Sequence, residues 1–279
     1  MSSDFTRGEV LARLHKQMDA GQSLLVVGAG NGLVARCVDD AGADLIVVYN
    51  SGYFRLDGHV SMIGNLPVGD ANAIMLELGE RHVIPAVRHT PVIGGVYAAD
   101  PTRNKARLMR MMQAIGYAGV INFPTIGRID GRYRQELEAQ GISFQREVEM
   151  VRLARENDYF SMAYVYSPDD AAAMAEAGAD VIIGHVGLTV GGDVGSNLAM
   201  RLDEAVESLK AMFAAAKAVR SDVILLSHGG PISSPQDAEL VNLRTGAAGF
   251  VGASSVERIP VEVALKEVCR QFKAIKVQS

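Results

Sequence analysis

The stretch Ala41-Gly-Ala-Asp-Leu-Ile-Val-Val48 returns almost unchanged as Ala177-Gly-Ala-Asp-Val-Ile-Ile-Gly184. Each copy reads as a helix end, a glycine turn and a new strand too apolar to have a water-facing side, the mark of a parallel sheet covered by helices. Working outward, the same reading recurs at 23–27, 91–97, 119–123, 159–165, 222–227 and 248–252, which with 44–49 and 180–184 makes eight strands. Most are followed by a loop rich in Gly, Pro or Ser and then a helix. Eight such units in a chain of 279 residues predict an α/β fold of the (β/α)8 barrel type, with a doubly wound sheet as the alternative. Asp100-Pro101, Ser167-Pro168 and Ser234-Pro235 each set a capping side chain before a proline suited to a first helical position. Thr6 with Glu9 forms a capping box for an extra N-terminal helix that would close the barrel bottom. No linker or low-complexity stretch interrupts residues 1–279, so one domain is expected.

Barrel chemistry gathers on the loops at the C-terminal strand ends. His185 and His228 end the sixth and seventh strands, where an imidazole titrating near neutrality can act as acid or base. Gly229, Gly230, Gly252, Ser254 and Ser255 follow the seventh and eighth strands, where barrels often hold phosphate on backbone N–H groups, with Arg258 close in sequence. Asp100 is either a helix cap or the ligand of a hard cation such as Mg2+. Glu147 and Glu149 could support it, but their segment is helical in pattern, which puts at least one of them on a solvated face. The glycine-rich 187–195 reads as a lid.

Composition narrows the classes. Thirty-two acidic against 27 basic residues give a net charge of −5, which argues against a nucleic-acid binder. Cys37 and Cys269 stand alone, without zinc-ligand or disulfide patterning, and fit a reducing cytoplasm. No signal-peptide run or membrane-length apolar stretch occurs. Gly28-Ala29-Gly30 lacks the third glycine of a dinucleotide fingerprint, which would fall on Leu33, and reads as a tight turn. The seven lysines lie in helices or the tail, away from strand ends, so a Schiff-base aldolase is not indicated.

NSGYFRLDG (50–58), GVYAADP (95–101), NFPTIGRIDG (122–131), LLSHGGPISSPQDA (225–238) and GFVGASSVERIPVE (249–262) together resemble the phosphoenolpyruvate hydrolase-like TIM-barrel family, which also supplies the C-terminal domain of a plant virus-resistance protein. More remotely, residues 48–70 resemble the strand-two region of the phosphoenolpyruvate mutase/isocitrate lyase superfamily. That resemblance implies carboxylate binding at Ser51, Gly52 and Tyr53, and substrate contact at Asn122, which stands where the superfamily carries an acid. It also implies a Mg2+ ion at Asp100 offsetting enolate charge, although the superfamily's strand-four acid and its lysine- or cysteine-bearing gating loop are missing. The expected function is hydrolysis or lyase-type cleavage of a small phosphorylated or 2-oxo carboxylic acid. The alternative is a ligand-binding or regulatory barrel without turnover. The expected partners are a small-molecule substrate and further copies of the chain, with neither nucleic acid nor membrane.

Overall fold

The computed structural model describes residues 5–198 and 200–277. The eight expected strands all form: β1 (Leu24–Gly28), β2 (Leu45–Val48), β3 (Val92–Gly95), β4 (Gly119–Ile121), β5 (Phe160–Val165), β6 (Val181–His185), β7 (Ile224–His228) and β8 (Gly249–Gly252). They pair in parallel and in sequence order, and β8 returns to β1 to close the barrel. Between them run α2 (Gly32–Asp40), α3 (Asn50–Leu56), α4 (Ala71–Leu78), α5 (Lys105–Ile115), α6 (Gly131–Ala139), α7 (Gln145–Glu156), α8 (Pro168–Ala177), α9 (Leu202–Val219) and α10 (Pro235–Thr245). The chain opens with α1 (Arg7–Asp19) and closes with α11 (Ile259–Lys273).

Alternation along each strand sorts its side chains between two cores. Leu24, Val26, Leu45, Val47, Ile93, Ile121, Phe160, Met162, Val181, Ile183, Leu226 and Val251 fill the barrel interior. Their outward neighbours, such as Ile46, Val120, Ala163 and Ile182, pack against the helices. Val10 and Leu14 of α1 join the interior cluster from below, and Arg7 ties the helix to Asp180 at 2.7 Å. Thr6 and Glu9 form the expected capping box, while Ser167 and Ser234 cap α8 and α10.

Asp100 departs from its expected capping role. Residues 101–104 turn first, and α5 starts only at Lys105, where the Asn104 side chain accepts from the Arg107 N–H at 2.9 Å. Asp100 instead accepts from the Thr102 N–H at 2.8 Å, which closes that turn. No helix among the described residues is long and apolar enough to cross a membrane.

Candidate active site at the barrel mouth

Parallel register places His185 of β6 directly beside His228 of β7. Both point into the mouth and are buried, with ring centroids 4.6 Å apart and planes at 68°. Tyr164 from β5 packs on both rings, at 5.4 and 5.3 Å. Their hydrogen bonds fix different tautomers. The His228 Nδ1 lies 2.5 Å from the Val251 carbonyl, which can only accept, so Nδ1 carries the proton and Nε2 keeps a lone pair. The His185 Nδ1 accepts from the Gly187 N–H at 3.1 Å, so its proton sits on Nε2. Burial pushes the His228 imidazole down to about 4, helped by the positive charges of Arg55 and Arg128. Burial, His228 and Arg128 likewise hold His185 well below the usual histidine range. At neutral pH the pair is therefore uncharged, with one ring offering a lone pair and the other an N–H.

Around them is a cavity of about 210 Å³, lined among others by Ser51, Arg55, Arg128, Thr189, Ser254 and Arg258. At roughly 30 Å³ per water, that space suits a ligand of only a few carbons. Three arginines and no carboxylate line it among the described residues. Arg55 is buried against Glu257, which also accepts from the Gly30 N–H at 3.1 Å. Arg258 donates to Glu262 at 2.6 Å and to the Gly191 carbonyl at 3.0 Å, while its buried Nε has no partner. Arg128 forms no ion pair or hydrogen bond with any described residue, so its charge is free to meet an anion.

Arg128 is held in place from beneath. Glu147 of α7 is wholly buried and accepts from the Ile126 N–H at 2.7 Å, Thr125 Oγ1 at 2.8 Å and Asn122 Nδ2 at 2.6 Å, pinning the turn Ile126–Arg128. Burial pushes its carboxyl up to about 8. Glu149 lies on the more open side of the same helix and pairs with Lys105 at 3.1 Å, the solvated role expected for one of the two.

Of the expected site residues, Ser51, Ser254, Arg258, His185 and His228 come together on the cavity wall. The others lie elsewhere. Asn122 is consumed by Glu147 and by the backbone of Tyr164, whose N–H donates to Asn122 Oδ1 at 2.7 Å and whose carbonyl accepts from Nδ2 at 3.0 Å, so it stitches β4 to β5. Tyr53 is 40% exposed on α3, outside the cavity. Ser255 faces a separate groove on the barrel's outer wall. Gly252 is required because a Cβ there would meet Val256 at 2.3 Å. Gly229 and Gly230 take positive φ, and the Gly230 N–H donates to the Gly187 carbonyl at 2.9 Å, so they seat the β7 turn against the β6 loop. Gly30 serves a similar end, since its Cβ would collide with the Gly52 carbonyl at 2.2 Å. Arg55 and Arg128 were not anticipated, although Arg55 stands one helical turn after Ser51 and Arg128 within the quoted 122–131 motif.

The metal expectation meets a donor set that does not suit it. Asp100 lies outside the cavity, with Oδ1 taken by Thr102 and Oδ2 by Asn72 at 3.1 Å and Arg103 at 3.3 Å. No group of three or more His, Cys, Asp or Glu side chains placed to hold a metal occurs among the described residues. A hard cation needs carboxylate or carbonyl oxygens, and the mouth offers guanidinium groups, imidazoles and hydroxyls.

Fold and mouth thus define a (β/α)8 barrel with a cationic, histidine-bearing pocket. The chain belongs to the phosphoenolpyruvate hydrolase-like family, whose model matches residues 9–275. The tomato (Solanum lycopersicum) ToMV resistance protein Tm-1(GCR237) is 44% identical over 98% of the chain, and the ToMV susceptible protein tm-1(GCR26) is 44% identical over 96%. The chain spans about a third of those proteins, 36% of each. A solved phosphonopyruvate hydrolase complex with oxalate and Mg2+ superposes with a TM-score of 0.57 at 19% identity, covering 96% of this chain and 87% of that one. The fold is that of the phosphoenolpyruvate mutase/isocitrate lyase superfamily.

Proposed function

We propose that this barrel is an enzyme that cleaves a small dianionic acid, a 2-oxo carboxylic acid or its phosphorylated or phosphonylated relative, by hydrolysis or lyase-type chemistry. The observation that carries this reading is the cavity itself: three arginines and a neutral pair of histidines of opposite tautomer, in a space sized for a few carbons. The phosphonopyruvate hydrolase likeness and the family name support the substrate class.

In this reading Arg128 and Arg258 hold the acid's oxygens, and Ser51 and Ser254 donate to them. The His228 Nε2 takes a proton from the substrate or from an attacking water, its imidazolium steadied by the Val251 carbonyl at Nδ1. The His185 Nε2–H donates to the oxygen on which negative charge develops. The segment 187–198 covers the cavity with Leu188, Thr189 and Ser196 and excludes water. Because the donor set does not suit a metal, no step passes through one.

A panel of phosphoenolpyruvate, phosphonopyruvate and oxaloacetate, followed by pyruvate, phosphate or oxalate release, tests the reading. Turnover of one member, lost in His228→Gln, is expected. Binding of panel members without turnover would favour the ligand-binding alternative, to which the missing cavity carboxylate lends weight.

A further inference from the structure

Helix α11 should cover the seam between β8 and β1, as the helix after each strand does in a closed barrel. It does not. None of its residues Ile259–Lys273 is buried, and Val261, Leu265, Val268 and Phe272 form a stripe at helical spacing, with Leu265 61% and Phe272 71% exposed. An amphipathic helix of this length without a packed face is marginal in water. The seam it leaves bare is a groove of about 660 Å³ lined by Leu24, Leu25, Ala238, Phe250, Val256 and Pro260. Leu25, a strand residue, is 37% exposed there.

Its polar face is already occupied. Lys266 pairs with Asp193 at 2.6 Å, Glu262 accepts from the Asp193 N–H at 3.0 Å, and Arg258 holds Gly191. These three contacts latch α11 to the 187–198 flap over the cavity and turn the apolar stripe away from its own barrel.

We propose that α11 seats its stripe in the β1/β8 groove of a second copy of this chain, reciprocally, and that this seat sets the flap over the first copy's cavity. The groove lacks one helix and the helix lacks one groove, so a two-fold exchange satisfies both. The helix is about 22 Å long and 10 Å across. Covering one face on helix and groove, twice over, removes on the order of 900 Å² from solvent, near the ~1,200 Å² lower end of specific interfaces before any contact between the barrels is added. Because Gly191 and Asp193 ride on α11, a helix fixed by the partner fixes the flap, and a free helix releases it.

Sedimentation of the full chain should show a dimer or a larger even assembly; a monomer at tens of micromolar would overturn the proposal. Chains carrying Leu25→Cys and Leu265→Cys, each with Cys37→Ser and Cys269→Ser, should form a disulfide-linked dimer when co-expressed. Failure to cross-link between chains, with an intramolecular bond in the double variant, would mean that α11 closes on its own barrel and would overturn the exchange. In a Leu265→Asp/Phe272→Asp variant the chain should become monomeric, with amide exchange across 187–198 at least tenfold faster and the strands unchanged. Unchanged flap exchange in a monomer would overturn the coupling. None of these readouts depends on turnover.

Discussion

His185 and His228 sit at the same level of adjacent parallel strands, 4.6 Å apart, with the proton on Nε2 of one and on Nδ1 of the other. Burial keeps both neutral, so acid works against the fold. The unfolded His228 binds a proton near 6.5 and the folded one only at about 4. The folded pKa is depressed for a base, so the unfolded state gains protons first and stability falls as pH drops from about 6.5 to about 4. The loss from this one group is on the order of 3 kcal/mol. Denaturant titration of wild type and His228→Phe across that window measures it, and the variant should be less acid-sensitive. Equal acid sensitivity would remove His228 from the account.

Arg128 is the cavity's uncommitted charge. A hydrogen bond to a charged group contributes about 1.5–3 kcal/mol, so Arg128→Met should weaken oxalate binding roughly 10- to 100-fold with little effect on stability. Calorimetric titration checks this, and unchanged affinity would place the anion elsewhere. The same variant should raise the His185 and His228 pKa values, because Arg128 opposes their protonation.

Glu147 acts on Arg128 through the turn it pins. Glu147→Ala strands the Ile126 N–H and the Asn122 amide, which should cost about 1–3 kcal/mol and raise KM more than it lowers kcat. The Glu147 carboxyl, raised from 4.5 to about 8, binds its proton more tightly in the folded state, so its contribution is lost as pH rises through that window. Glu147→Gln should flatten that alkaline loss.

Arg55 and Glu257 tie α3 to the loop after β8 with both side chains out of water. Glu257→Ala leaves a buried guanidinium unpaired and should cost about 3–5 kcal/mol, a Tm fall on the order of 10 °C. A fall within error in a thermal scan would show that water reaches the pair.

The barrel was legible because β-rich runs such as Leu45–Val48 and Val181–Gly184 are apolar on both faces and sit at regular intervals. His185 and His228 were legible for the same reason, since each closes such a run. Long-range partners are what sequence position hides. Asn122 ends a strand like a site residue, yet Glu147, far along the chain, and Tyr164 consume it. Arg128 lies in a recognised motif, but its freedom follows only from which acids fail to reach it. Asp100 carried the metal expectation until Thr102, Asn72 and Arg103 were seen to occupy it.

The donor set also predicts that any turnover survives a chelator. Assay in excess EDTA should retain the rate, and a loss restored by Mg2+ would contradict the reading of the mouth.

The most direct test is a crystal structure with saturating oxalate. The account predicts oxalate inside the mouth, its oxygens on Arg128 and Arg258 and within hydrogen-bond reach of Nε2 of His185. An empty mouth, or oxalate held through a metal ion at Asp100, would contradict it.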